Sequence, residues 1–460
     1  MFPLTAKNLN KLVTELYLMA KRNVIIMGAA GRDFHNFNVF FRNNHAYNVV
    51  AFTAAQIPDI SGRKYPATLS GRHYPDGIPI FDEKELPRLI KYYNVEEVVL
   101  AYSDISNEEV MQKGALVIAN GASFSLLGPT DTMLRSVKPV IAVCAVRTGS
   151  GKSALSRFIV NHFRRHDMHV VVIRHPMPYG DLAKQAVQRF ETVEDLERHN
   201  CTIEEREEYE PHIINGAIVY AGVDYEKIIR QAEKEADVIL WDGGNNDFPF
   251  YKPDLFITIA DPHRPGHEIS YYPGESNFMM ADVIVIGKVN TAEKSNIELV
   301  ERHAREFNPG AKTVHGTLEI SAEDIPSIKG KRAIVIEDGP TLTHGGMHYG
   351  AGMIAAQKYG AKVIDARKFA VGSIRGVYQK YEHLDRILPA VGYGPKQMKE
   401  LQDTINRSGC DIVLEATPAN LGRIMKINKP IVNITYEFGE IRGGMTKILG
   451  EFERKHVRRK

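Results

Sequence analysis

The chain has few cysteines, no surplus of charge and no long apolar run. Its 460 residues hold three cysteines, Cys144, Cys201 and Cys410, far apart and odd in number. Neither a disulfide framework nor a zinc spacing can be assembled from them, so a disulfide scaffold is excluded and a reducing compartment is expected. Lys plus Arg total 58 against 56 for Asp plus Glu, a formal net charge of +2. That balance gives no basis for bulk nucleic-acid binding, though a balanced sum can hide a local anion pocket. The N-terminal stretch MFPLTAKNLNKLVTELYLMAKR lacks the apolar run of a signal peptide, and nothing later approaches a spanning helix. The expectation is a cytoplasmic protein without a membrane partner. Low-complexity tracts and internal repeats are also missing. What is there is a globular composition, 43% hydrophobic and 25% charged, in a chain long enough for two or three domains.

Apolar runs separated by helical patterns organise the chain. NVIIMGA at 23–29 reads as a buried strand, and the glycine turn GAAGRDFHNFN follows it. A helix is expected over 38–44, a strand at 47–54, an irregular stretch to about residue 80, a helix at 83–93 and a strand at 96–102. A helix around 107–113 and a short strand, ALVIAN at 115–120, complete the alternation. Alternating strands and helices predict a Rossmann-like parallel α/β domain over 1–135, with a break at 127–139. The pattern then restarts, with strands expected at 139–146, 169–174, 237–242, 254–260, 282–287, 332–337, 362–365, 387–391, 411–414 and 430–434. These runs predict an extended P-loop NTPase α/β domain over 136–440, with a charged helical insertion near 190–210. Residues 441–460, ending EFERKHVRRK, read as a solvated basic tail.

The chemistry starts at AVCAVRTGSGKSALS, residues 142–156: a strand, a glycine-rich turn and a helix. In such a loop successive backbone N–H groups and a helix N-terminus face phosphate oxygens, a lysine reaches the outer phosphates and a hydroxyl takes magnesium. Gly149, Ser150, Gly151, Lys152, Ser153 and Ala154 supply those parts, with Ser153 the magnesium-binding hydroxyl. Val146 stands where the strict motif has its first glycine. Arg147 occupies a slot where variant P-loops of the dimeric ATPase group carry a second lysine. Two readings stand for it: a cation assisting phosphoryl transfer within the chain or across a dimer, or a structural arginine.

A phosphate loop needs a partner carboxylate at the end of a neighbouring strand. ADVILWDGGNNDFPF provides Asp242 for catalysis and for magnesium, with Asp247 as a second candidate. Taken alone, Asp242 would be an ordinary strand-end cap. Guanine-specific relatives of this fold carry an N-K-x-D loop. ADVIVIGKVNTAEK puts Gly287, Lys288, Val289 and Asn290 there, so Lys288 and Asn290 are candidate nucleotide contacts. Without the aspartate, guanine loses an acceptor and ATP is favoured.

The carboxyl ends of the other strands, where ligands sit in such sheets, are rich in anion-binding side chains. Arg174 and His175 end one strand; His263, Arg264, His267 and Tyr272 follow another; His344 and Arg375 open later segments. Together they predict a pocket for a small polyanion. Singly, each reads as structural, and Arg174 could instead pair with the acidic insertion. His344 and His348 stand i, i+4 without an HExxH pattern, which argues against a metal site.

The blocks VRTGSGKS, RHPMPYGDL, WDGGNND, ADPHRPGHE…YYPGE, ADVIVIGKVNTA and EDGPTLTHGGM, in that order, resemble the cyclic 2,3-diphosphoglycerate synthetase family of methanogenic archaea. They also resemble a wider set of P-loop GTPase-like proteins. The resemblance implies ATP-dependent closure of a phosphoanhydride within 2,3-diphosphoglycerate, giving ADP and phosphate, with magnesium, potassium and a homodimer. One substrate phosphate would attack the γ-phosphorus of ATP and its neighbour would then close the ring, a reaction that needs positioning and charge neutralisation rather than a protein nucleophile. Two rivals are a regulatory or chaperone-type NTPase, and a binding protein using the Gly28/Gly31 turn. That turn also reads as plain strand-to-helix packing.

Overall fold

The structure, a computed structural model, describes residues 21–29, 31–55, 62–175, 180–244, 247–343, 345–391 and 394–457. The chain forms two compact units. The first comprises Met1–Leu134, Pro176–Val187 and Gly222–Tyr225, and the second Arg135–His175, Gln188–Ala221 and Glu226–Lys460.

The first unit is an α/β layer on a six-stranded sheet among the described residues. The order is Lys64–Tyr65, Ile78–Asp82, Tyr47–Ala54, Arg22–Met27, Glu97–Leu100, Ser123–Leu126. All pairings are parallel except that of Lys64–Tyr65 with Ile78–Asp82. Val24, Ile26, Phe34, Phe37, Phe52 and Tyr65 fill its core, with the Phe34 and Tyr65 rings stacked at 4.6 Å. Leu182 and Val223, from the two later excursions of the chain, join that core. Gly28 has φ 131°, and a Cβ there would meet the Asp33 carboxylate, so this glycine is required by packing.

Three expectations for this unit are corrected. Residues 115–120 are not a strand; they continue the helix Asn107–Ala119, which Ser106 caps by accepting from Glu109 N–H. Val110, Gly114 and Val117 face inward while Leu116 and Ile118 are exposed, so a short apolar run was carried by a helical period. The sheet strand is the more polar SFSL at Ser123–Leu126. The stretch expected as irregular contains the paired strands Lys64–Tyr65 and Ile78–Asp82. The first helical segment begins at Arg32 and passes into a wider turn at Phe37–Phe41, earlier than 38–44.

In the second unit thirteen described strands form one mixed sheet. From one edge they run Gln188–Phe190, Ile218–Ala221, Val170–Arg174, Val238–Asp242, Val140–Ala145, Leu255–Ala260, Val283–Ile286 and Lys312–Ala322. Ile431–Glu440, Ile412–Ala416, Arg332–Asp338 and Lys362–Val363 continue it, and Leu388–Ala390 also pairs with Arg332–Asp338. Lys312–Ala322, which the apolar pattern did not announce, joins the two halves. Its first residues pair in parallel with Val283–Ile286, and the rest pairs antiparallel with Ile431–Glu440. Half of its side chains are polar or exposed, so it lacks the continuous apolar run of a doubly covered strand.

Val140–Ala145 is fully buried and lies between Val238–Asp242 and Leu255–Ala260, all parallel. The helix Lys152–Arg164 packs back on it through Leu155, Ile159 and Phe163, spaced four apart on one face. Each of these side chains contributes about 1.5–3 kcal/mol by leaving water. The segment expected as a solvated tail folds instead as the helix Gly444–His456. Met445, Leu449 and Phe452 enter the same core, while the basic residues Arg454, Lys455 and His456 gather in the last turn, where they complement the helix dipole.

Candidate active site

Val146 is accommodated because it directly continues the strand Val140–Ala145 and stays tied to its neighbour. Its N–H donates to Ile259 O at 3.0 Å, and its side chain packs with Ala260 and Phe278. The turn begins one residue later, where Arg147 O accepts from both Ser150 N–H at 3.3 Å and Ser150 Oγ at 2.8 Å. Gly149 and Gly151 have φ of 80° and 103°, a left-handed backbone that glycine adopts without strain. Gly151 caps the helix, so Lys152, Ser153 and Ala154 form a first turn whose N–H groups have no intrahelical acceptor.

Beneath this turn lies a charge cluster built on Asp242. In the parallel register Asp242 stands beside Val143 on one side and Arg174 on the other. Its Oδ1 accepts from Lys152 Nζ at 2.5 Å. Its Oδ2 accepts from His212 Nε2 at 2.9 Å and lies 2.5 Å from the Arg174 guanidinium. Asp242 is wholly buried; burial alone would raise its pKa, but Arg174, Lys152 and His212 hold it well below the usual carboxylate range. Burial lowers Lys152 to about 8, against the pull of Asp242. Burial also lowers His212, which therefore donates as a neutral imidazole. Arg174 pairs in addition with Glu208.

A second carboxylate fastens the turn from the other side. Asp261, at the end of Leu255–Ala260, accepts from Lys288 Nζ at 2.8 Å and from Arg264 at 3.0 Å. Those two cations overcome burial and hold it at about 2. Lys288 also donates to Gly149 O at 2.6 Å, and Arg264 donates to Thr148 O and Gly345 O, both at 2.8 Å. Arg147 is buried, donates to His267 Nδ1 at 2.9 Å and lies 3.7 Å above the Tyr271 ring. Burial and the neighbouring Arg147 and Arg264 lower His267 to about 4, so its Nδ1 keeps the lone pair that accepts from Arg147.

The remaining candidates are placed as follows. His175 pairs with Asp247 at 2.6 Å, close to Trp241 and Phe250. His263 meets Thr291 Oγ1 at 2.9 Å. Tyr272 packs edge-on against Phe248. Asn290 exchanges both amide hydrogen bonds with the Leu318 backbone at 3.1 Å, so its side chain is committed to the sheet. Arg375 starts the helix Ser373–Lys380 and donates to Ala370 O at 2.7 Å. His344 lies outside the described residues.

Sequence reading overlooked His212, Glu207 and Asp261. The first two sit on Ile203–Ile214, which begins inside the segment expected as a charged insertion near 190–210 and runs past its end. That helix is buried along much of its length, including Glu204, Glu205, Glu207, Glu210 and His212. Its start was readable in the reciprocal Thr202/Glu205 cap. Nothing local marks His212 as a partner of a residue thirty positions later. Ser153 and Asp242 offer hard oxygen donors of the kind magnesium takes, and the ionised state of Asp242 would suit it.

Over 422 residues the chain is 59% identical to arginine synthetase ArcE of Thermococcus kodakarensis, covering 92% of this chain and 94% of the relative. It belongs to the ArcE family. The ArcE-family chain is also 32% identical over 115 residues to cyclic 2,3-diphosphoglycerate synthetase of Thermococcus sibiricus, a quarter of this chain's length (25%) and 26% of the relative. The family-level resemblance drawn from the motifs thus holds, while the full-length likeness is to an arginine synthetase. LpxK of Aquifex aeolicus, solved in complex with ATP, aligns at 13% identity over 80% of this chain and 98% of that one, with a TM-score of 0.43. No protein-family model matches the ArcE-family chain. No helix among its described residues is long and apolar enough to cross a membrane.

Proposed function

We propose that the chain is an ATP-dependent synthetase that activates a ureido oxygen by γ-phosphoryl transfer and replaces it with nitrogen, forming arginine. The observation that carries the reading is the buried Lys152–Asp242 pair beneath a glycine turn, in a chain 59% identical to an arginine synthetase. The guanidino carbon has the oxidation level of urea, so an ATP-driven route to it must convert a ureido oxygen into a leaving group.

The N–H groups from Gly149 to Ser153 hold the outer phosphates, and Lys152 turns from Asp242 to the γ-phosphate as charge builds there. Arg174 and His212 remain on Asp242 when Lys152 leaves, which keeps the carboxylate ionised. Ser153 and Asp242 would hold magnesium, which supplies charge neutralisation of the phosphates when bound. Arg264 and Lys288 keep the turn in shape through Thr148, Gly149 and Gly345. ATP is favoured over GTP because Asn290 offers no carboxylate and its amide is already used. Cys144, Cys201 and Cys410 form no disulfide, in keeping with a cytoplasmic enzyme.

The test is to incubate the full chain with ATP, magnesium, citrulline and ammonium chloride and to follow arginine and ADP together. Equal amounts of both are expected; ATP consumption without arginine would overturn the reading. The partial likeness to the cyclic synthetase, and the grouping of Arg147, Arg264 and His267, favour a second reading: ring closure in 2,3-diphosphoglycerate. Phosphorus NMR with that substrate and potassium decides it, through a new pair of coupled cyclic-anhydride resonances.

A further inference from the structure

Glu207 is out of place for a solvated charged helix. It is only 6% exposed; its Oε1 accepts from Thr417 Oγ1, while its Oε2 is buried with no donor. The Asp338 carboxyl is its acidic neighbour within hydrogen-bonding reach. Asp338 ends the strand Arg332–Asp338 and accepts from both the N–H and the Oγ1 of Thr341. The methyl of Thr341 in turn packs on the phosphate turn: a Cβ at Gly149 would lie 3.0 Å from it. The helix that carries Glu207 also presents Glu208 to Arg174 and His212 to Asp242. The two carboxyls therefore adjoin the phosphate turn, on the side served by one helix.

Two carboxyl groups facing each other with no donor between them repel unless a proton or a cation lies there. Among the described residues no cation pairs with either carboxyl. Glu204 adds another negative charge from the same helix, and the Tyr436 ring is a neutral wall. The guanidinium of Arg157 is spent on Tyr436 O at 2.7 Å. Burial and mutual repulsion push Glu207 up well above the ordinary carboxylate range, and burial raises Asp338, so the pair holds a proton when empty. A donor that brings its own carboxylate would be repelled here; a small cation would be held.

We propose that the Glu207–Asp338 pair receives the nitrogen substrate as an ammonium ion and takes up the proton it sheds before attack. The assignment rests on the arginine-forming reading above. On binding, ammonium displaces the pair's shared proton to solvent; it then gives one of its own protons to the freed carboxylates and becomes ammonia. The ammonia lone pair forms a C–N bond at the carbon of the phosphorylated ureido group. The C–O bond then breaks, its electron pair leaves with the phosphate, and one proton of the added nitrogen goes to that phosphate, giving hydrogen phosphate and a guanidinium.

The test uses the full chain with ATP, citrulline and either ammonium chloride or hydroxylamine, which is uncharged at neutral pH. Glu207→Gln and the partly exposed Asp338→Asn are each expected to raise KM for ammonium about tenfold or more, as loss of a charged hydrogen-bond partner does. KM for ATP should stay within about twofold, and the deficit should shrink with hydroxylamine. An unchanged KM for ammonium in both variants, or equal losses with the two nucleophiles, would overturn the assignment while leaving the synthetase reading in place. If the wild-type chain makes neither arginine from ammonium nor N-hydroxyarginine from hydroxylamine, both fall together.

Discussion

Lys152 and Asp242 form an ion pair at 2.5 Å in which the carboxylate is wholly buried. Because Arg174 and His212 hold the other oxygen of Asp242, the two ends of this pair are not equivalent. Lys152→Ala leaves the carboxylate with two partners, so the protein should fold normally and lose turnover by about a hundredfold or more. Asp242→Asn leaves Lys152 without its counter-charge and Arg174 with Glu208 alone, at a cost of about 3 kcal/mol. Urea denaturation of both variants beside an ADP-release assay checks the contrast; equal stability losses would refute it.

Arg147 is engaged within its own chain, stacked on Tyr271 and bonded to His267. A cation acting across a dimer would let two defective chains restore each other. Mixing Arg147→Ala with Lys152→Ala protein is therefore expected to recover no activity. Recovery to about a quarter of wild type, the statistical share of mixed dimers with one intact site, would place Arg147 in the partner's site.

The neutral state of His267 has a pH signature. The folded protein keeps it unprotonated down to about 4, whereas its ordinary value is 6.5. Between those values the unfolded chain binds the extra proton, so this group's contribution to stability is lost as pH falls from 6.5 towards 4. Urea midpoints at pH 7 and pH 5 should fall less in His267→Gln than in the wild type, and identical falls would count against it.

Asn290 stands where a guanine-reading loop has its aspartate, yet its amide spans the Leu318 backbone. Asn290→Asp loses the donor to Leu318 O and should lower stability by about 1 kcal/mol. It should not convert the enzyme to GTP, which competition binding of the two nucleotides will show.

Phe452 is almost fully buried on the C-terminal helix and meets Phe163 edge-on, their ring centres 6.0 Å apart. Phe452→Ala should cost about 3–5 kcal/mol, the usual range for a core aromatic. A loss under 1 kcal/mol, read from the same denaturation curves, would mean that the helix is dispensable.

Local patterns were legible because they depend on residues near in sequence. The run PVIAV, the glycines at 149 and 151 and the apolar spacing of Leu155, Ile159 and Phe163 announce a strand, a left-handed turn and an amphipathic helix without reference to anything distant. The same local view failed at 115–120, where five apolar residues fit both periods, and at Gly444–His456, where the basic ends concealed a buried face. Lys312–Ala322 escaped because half of its face is polar and its pairing is supplied by strands far away in the chain.

By itself, the sequence determined the alternating architecture, the phosphate turn and the acid-bearing strand end, since periodicity and fixed offsets encode them. Only the tertiary structure decided which charges meet. Asp242 sits beside Arg174 because two parallel strands share a register, and beside His212 because a helix packs over their ends. Asp261 meets Lys288 because their two parallel strands are neighbours, while Arg264 is a local partner three residues on. Glu207 faces Asp338 across 131 residues of chain. A buried charge is stable only beside its partner, and that partner is chosen by packing at distances no local spacing records.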